Sequence, residues 1–303
     1  MNSILEDFKQ AFRTGNILNQ IIVINVVVFV LFGVLGVFMQ LSGAGAEYSL
    51  IYGYLALPSN TNSLISQPLS IITYMFMHSG VFHILFNMLF LFWFGKIIVG
   101  YLGQNKLLGL FVWGGLGGGL LYILVYNALP FYAPLVENSS LVGASGAVMA
   151  VVVGAATFQP NFSVQMFLIG SVKLKYIAAF YLLLSFFQVT GANAGGEIAH
   201  LGGALMGYIV ISQLQQGKDW SKPIVTFINW VKGLFKNQAK MNVSYKNKQK
   251  TKATKTRVKK SAPSSDTSTP QAEIDAILDK ISDKGYDALS KEEKQKLFNA
   301  SKN

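Results

Sequence analysis

Residues 21–39 form an apolar run interrupted by one polar side chain, Asn25, and by no charge. As a helix rising about 1.5 Å per residue it is about 28 Å long, close to the ~30 Å hydrocarbon thickness of a bilayer. Such a run must be buried in a large core or set in lipid, and the composition favours lipid. Charged residues make up 13% of the chain and hydrophobic ones 51%, against about 25% charged in a typical soluble domain; mean hydropathy is +0.40. Further apolar segments at 81–101, 106–126, 145–157, 172–190 and 197–214 bring the predicted helices to six, the fourth of them short for a span. The expected fold is all-α, a polytopic membrane domain of six transmembrane helices over residues 18–215.

Residues 1–17 precede this domain as a polar segment, expected on the cytoplasmic side. The small residues Gly43-Ala44-Gly45-Ala46 after the first run look like a signal-peptide cleavage site. The run exceeds the roughly 7–15 residues of a signal core, however, so it reads as a retained helix. Residues 42–80, with Pro58 and Pro68, read as a long and partly membrane-dipping loop. Cysteine is absent, which excludes disulfides, thiol catalysis and thiolate metal sites.

The net charge of +11 comes mostly from one end, since Lys218 to Lys302 hold 19 of the 25 Lys and Arg. The densest part, 246–260, follows soon after the last span, as expected of a cytoplasmic tail near anionic inner-leaflet lipid rather than a nucleic-acid surface. The connections 42–80, 127–144 and 191–197 contain no Lys or Arg, whereas the alternate ones carry Lys96, Lys106, Lys173 and Lys175. By the positive-inside rule both termini are cytoplasmic. With no organellar targeting segment evident, the expected location is the cell membrane, best fitted by a bacterial inner membrane.

After the last span, Ile224, Phe227, Ile228, Val231, Leu234 and Phe235 recur at helical spacing beside Lys232 and Lys236, predicting an amphipathic helix on the inner leaflet. It belongs to a juxtamembrane region, 216–270, that continues into a basic and Ser/Thr/Pro-rich linker. Residues 271–303 read as a small cytoplasmic helical hairpin for partner contact or a solvated tail. There Ile274, Ile277, Leu278 and Ile281 share a face, Gly285 suits a stop, and Ser290 to Glu293 form a capping box.

The predicted topology gathers the candidates for chemistry. Helices two, four and six run in the same direction, which puts His83, Asn87, Ser145 and His200 at similar depth near the outer face. Asn87 lies one turn from His83 on the same helix face. Ser145 opens a helix, where free N–H groups and the positive dipole end favour an anion. His200 could act as general base toward Ser145, with the Asn87 amide and the His83 ring as donors. Glu197, one turn before His200, is expected to be exposed, leaving a Ser–His dyad without an orienting acid. Other readings stay open at this point. Gly143, Gly146, Gly203 and Gly207 are typical of tight helix packing in membranes, and Ser145 alone could belong with them. His83 and Asn87 could be an interhelical hydrogen-bond pair. The histidines could relay protons or bind zinc, though no second-shell carboxylate or His-x-x-x-His pair supports a metal, and none is expected.

Three motifs resemble the rhomboid family of intramembrane serine proteases: His78 to Asn87, Gly143-Ala144-Ser145-Gly146, and Ala199-His200-Leu201-Gly202-Gly203 continuing to Gly207. The resemblance covers about 65–214. It implies Ser145 as nucleophile, His200 as base, and His83, Asn87 and the Ser145 backbone as oxyanion hole. It also implies a close contact through Gly203 and Gly207 between helices six and four, a structural place for His78 near the site, and no cofactor. Its implied substrates are single-span membrane proteins, cut near the outer end of their helix. The chain departs from the family in three places: no Trp-Arg pair in the first outer loop, Val99 where an acid is common, and Met149 where an aromatic often packs on the base. A catalytically silent rhomboid-like client-binding protein is the alternative, although the serine and base that such proteins lose are both present. A transporter would need ionisable groups at mid-depth, and the predicted span centres carry none.

Overall fold

The structure is a computed structural model that describes residues 16–166, 170–234 and 270–300. The segment 1–15, the polybasic stretch 246–260 and most of the Ser/Thr/Pro linker lie outside the described residues. The chain divides into two compact units, one within Met1–Gln238 and one within Ala239–Asn303.

The first unit is a helical bundle. Helix α1 (Ile17–Leu41) begins at Asn16, whose side chain accepts the N–H of Asn19. Asn25, the polar residue of the apolar run, is buried and donates Nδ2 to the carbonyl of Ile21 at 2.8 Å, so its amide turns back on its own helix. Helices α2 (Gly45–Leu55) and α3 (Thr61–Ser66) follow, with strand β1 (Leu57–Pro58) between them. The turns Ser70–Thr73 and Tyr74–Phe76 lead into α4 (Val81–Leu102) and α5 (Gln104–Ala128). Next come β2 (Ser140–Leu141), α6 (Ser145–Phe158), the hairpin β3 (Ser163–Met166) and β4 (Gly170–Lys173), α7 (Leu174–Phe187), α8 (Ala194–Gln215) and α9 (Ser221–Leu234).

Among the described residues four helices, α1, α4, α5 and α8, are long and apolar enough to cross a membrane. The other two expected spans, α6 and α7, have 14 residues each, about 21 Å of helix and short of ~30 Å of hydrocarbon. Residues 172–173 were expected to open the fifth helix, but they pair in β4 with Val164 and Ser163 instead. The outward faces are greasy: Leu31, Phe38, Phe82, Phe86, Leu120, Leu124, Phe180, Phe187 and Leu205 are all exposed. Apolar exposure on this scale needs a non-aqueous surround.

Helix α6 is the centre, with eleven of its fourteen residues buried. Lipid gives no hydrophobic drive for helices to associate, so close backbone packing must supply it. A Cβ at Gly203 would fall on the carbonyl oxygen of Gly146, and one at Gly207 on that of Ala150. On the other side, a Cβ at Gly118 of α5 would stand 2.7 Å from the Ala199 carbonyl oxygen of α8.

The 42–80 segment is a correction to the sequence reading. Instead of a loop it holds α2, α3, a strand and two short turns, pinned to the bundle. Leu57 pairs with Leu141 and Pro58 with Ser140. The Ser59 hydroxyl donates to the Val136 carbonyl at 2.7 Å, and Tyr74 Oη donates to the Gly115 carbonyl at 2.6 Å. These bonds satisfy polar groups that would otherwise sit unpaired at the edge of an apolar bundle, and they fix the segment leading into α6.

Helix α9 is fastened at its start. Lys106 Nζ lies 2.6 Å from Asp219 Oδ2, and Trp113 Nε1 donates to the Trp220 carbonyl at 2.8 Å. Asp219 Oδ1 accepts the N–H of Ser221, which satisfies one of the donors left free at a helix start. Burial opposes ionisation of the Asp219 carboxyl, but its bonds to Lys106 and Ser221 outweigh that and hold it below the ordinary carboxylate range. Phe227, Trp230 and Leu234 stay exposed, while Ile224, Ile228 and Val231 are half-buried. Phe235 and Lys236 of the predicted amphipathic face lie outside the described residues.

The second unit is a helical hairpin, α10 (Pro270–Lys284) and α11 (Lys291–Ala300). Gly285 ends α10 at φ 78°, its N–H donating to the Ile281 carbonyl at 2.9 Å. Ser290 and Glu293 cap α11 reciprocally: the Ser290 N–H donates to Glu293 Oε2 at 2.7 Å, and the Glu293 N–H to Ser290 Oγ at 3.3 Å. Ile277 is buried, but Leu278 is exposed, so the apolar face is narrower than its spacing predicts. Lys280 bonds Glu293 and Lys296 bonds Glu273 across the hairpin.

Candidate active site

The site lies where α6 begins. Gly143, just before it, takes φ 128°, a backbone conformation that a side chain resists, and its N–H donates to the Tyr74 carbonyl at 2.9 Å. A Cβ there would stand 2.8 Å from both Cε1 and Nε2 of His83 and 3.7 Å from Ser145 Oγ. The Cε1–Nε2 side of the His83 ring therefore approaches the chain closely at Gly143, near the serine hydroxyl, where a side chain would collide with it. Ala144 occupies the N-cap of α6 and supplies no side-chain bond. The first N–H groups of a helix have no intrahelical partner, so the backbone beside Ser145 presents donors and the positive end of the helix dipole.

Helix α4 contributes His83 and Asn87. His83 Nδ1 is 3.1 Å from Ser79 Oγ, and the Asn87 amide donates to the His83 carbonyl at 2.9 Å. Asn87 is buried, and its second N–H remains to be directed elsewhere. His78, also buried, packs edge-on against His83 with ring centroids 5.1 Å apart.

Helix α8 contributes His200. It starts at Ala194 rather than at Glu197, so Glu197 lies inside its first turn. This overturns the expectation of an exposed carboxylate. Glu197 Oε2 lies 3.2 Å from His200 Nδ1, and its side chain is only 12% exposed. Ser185 of α7, buried as well, lies 3.0 Å from the same nitrogen. Three residues and about one helical turn separate Glu197 from His200, a spacing readable in the sequence. Ser185 carried no local signal, because its role arises only from the packing of α7 on α8.

Ser145, His200, His83 and Asn87 all line one cavity of about 520 Å³, together with Met149 and the apolar walls Phe82, Phe86, Phe90 and Val152. Tyr181 and Asn193 line it too and were not singled out from the sequence. Gly143 and Gly146 flank the serine, while Gly203 and Gly207 hold α8 against α6 below it. Among the described residues no group of three His, Asp or Glu side chains could hold a metal ion.

Comparison with known families decides what kind of bundle this is. The model of the rhomboid domain matches residues 66–216. The chain belongs to the rhomboid family. The rhomboid domain thus runs from the pinned segment before α4 to the end of α8 and contains the whole cavity. Residues 264–303 match a separate family of unknown function, DUF6576. The chain is similar to RHOMBOID-like protein 12, mitochondrial, of Arabidopsis thaliana, at 27% identity over 158 residues. That match spans 49% of this chain and 47% of the relative, about half the length of each.

Proposed function

We propose that this rhomboid protein is an intramembrane serine endopeptidase that cuts single-span membrane proteins near the outer end of their helix. The observation that carries this reading is the shared cavity of Ser145, His200, His83 and Asn87, at a helix start with no side-chain cap. In the proposed reaction Ser145 Oγ attacks the scissile carbonyl carbon while His200 takes the hydroxyl proton. His200 then returns the proton to the leaving amine, and water, deprotonated by the same imidazole, hydrolyses the acyl-enzyme. The tetrahedral oxyanion would be met by the α6 backbone N–H groups, the second Asn87 N–H and His83 Nε2. His83 can serve as a donor because Ser79 stands at its Nδ1, so that Nε2 carries the proton when the Ser79 hydroxyl donates. One such donor is typically worth about 2.7–4 kcal/mol in the transition state. No cofactor enters this scheme.

A helical peptide bond is shielded by its neighbours, so the substrate must unwind to reach Ser145, which favours sites near helix-breaking Gly or Pro. The phenylalanine walls suit an apolar substrate segment, and the polar cluster at one end suits its unwound backbone. The basic residues are distributed as the positive-inside rule expects for cytoplasmic termini. Accordingly we propose a multi-pass protein of the cell membrane, fitting a bacterial inner membrane, with the site toward the outer face. The lysine-rich tail would lie on anionic inner-leaflet lipid.

The test is cleavage in liposomes of a single-span substrate containing a small residue and a helix-breaker, by the parent and by Ser145→Ala. Cleavage by the parent alone supports the protease. No cleavage by either folded protein, with no labelling of Ser145 by a serine-reactive probe, favours a silent client-binding role.

A further inference from the structure

We infer that Glu197, assisted by Ser185, is a positioning residue that fixes the His200 ring with its proton on Nδ1 and its Nε2 lone pair toward the cavity. The inference rests on the protease reading and adds to it a third, acidic member. An ionised carboxylate can only accept, so the nitrogen 3.2 Å from Glu197 Oε2 must be the one that donates. Ser185, 3.0 Å from the same nitrogen, braces the ring from the neighbouring helix. With Nδ1 occupied, Nε2 is left as the lone pair that can take a proton from Ser145, and His200 lines the cavity that Ser145 opens onto.

The energetics support a functional reason for the carboxylate. A carboxylate within an apolar bundle is costly unless paired, and carboxylates inside spans mark functional sites by default. Its place in the first turn of α8, at the positive end of the helix dipole, offsets part of that cost. An imidazolium formed in the transition state would lie directly against it, whereas a neutral amide there would stabilise that charge far less. Other titratable groups lining the cavity are His83 on α4 and Tyr181 on α7, with Tyr122 and Tyr126 of α5 in the neighbouring cavity that shares His83 and Asn193; helix α6 brings none. None of these is close enough to bond His200 Nδ1 in place of Glu197.

The experiment uses the full chain in liposomes, as parent, Glu197→Gln, Glu197→Asp and Ser145→Ala. It measures kcat and KM, thermal melting, and the ¹⁵N signals of the imidazole nitrogens, with His200 assigned from a His200→Gln sample. General base catalysis contributes about 10²–10⁴-fold in all, so loss of orientation alone should remove about ten- to a hundredfold. The expected result is that fall in kcat for Glu197→Gln with KM within about twofold, because the loss is confined to the chemical step. Glu197→Asp should recover part of it, and the parent His200 should carry its proton on Nδ1. Parental kcat in Glu197→Gln would overturn the inference. So would a fall that tracks melting rather than the ¹⁵N signal. A parent His200 protonated on Nε2 would overturn it even if no variant folded. Failure of the protease reading looks different: neither parent cleavage nor Ser145 labelling, whatever the ¹⁵N signals report.

Discussion

Gly143→Ala separates strain from chemistry more cleanly than any catalytic substitution. At φ 128° an alanine is strained whatever the space around it, and such conformations cost about 1–3 kcal/mol. The added Cβ would also stand 2.8 Å from the His83 ring, while ordinary contact begins at 3.4 Å, so the ring must retreat by at least 3.4 − 2.8 = 0.6 Å. Misplacing a reacting or stabilising group by about 1 Å can cost about 10²-fold in rate. Gly170 provides the control: it takes φ 83° at the start of β4, and a Cβ there meets nothing within 4 Å. Both variants should lose about 1–3 kcal/mol in a denaturation assay of the reconstituted protein. Only Gly143→Ala should also lose about 10–10²-fold in kcat for a single-span substrate. If the two variants keep equal kcat, His83 does not act from the position described.

Three further predictions follow from the same geometry. Asn87→Ala should lower kcat by about 10²–10³-fold with KM little changed, read by steady-state cleavage in liposomes, because an oxyanion donor acts mainly in the transition state. Asp219→Asn should loosen the start of α9 by about 0.5–2 kcal/mol, seen as faster amide exchange over Ser221–Leu234. In the parent that clasp depends on a carboxyl whose pKa is lowered by Lys106 and Ser221. Its stabilisation is therefore present above the ordinary carboxylate range and lost as pH falls below it, so protection should persist from neutral pH and then collapse in acid. Deleting residues 261–303 should leave in vitro cleavage by the rhomboid domain within about twofold of the parent, since the described residues that line the cavity all belong to that domain.

Hydropathy reads what lipid sees, and that explains which features were legible. The run at 21–39 marks α1 (Ile17–Leu41) because its side chains meet an apolar surround on most sides. The same measure overstates α7, where Val172 is as apolar as any helical residue yet pairs with Val164 in a hairpin. The pinned segment before α4 was invisible as structure, because its short elements are held by distant bonds such as Ser59 to Val136 and Tyr74 to Gly115. At the site, motif spacing picked out Ser145, His200, His83 and Asn87 without showing how they are held. Glu197 was misread as exposed because its burial depends on α8 beginning three residues earlier, at Ala194, and on Ser185 arriving from α7.

The proposed reaction turns on Ser145 being an activated nucleophile whose base is His200. The most direct measurement is treatment of the reconstituted full chain with a fluorophosphonate probe, followed by mass-spectrometric mapping of the adduct in the parent and in His200→Ala. One adduct is expected on Ser145 in the parent and none in the folded variant. An unlabelled Ser145 in the parent, or equal labelling without His200, would contradict it.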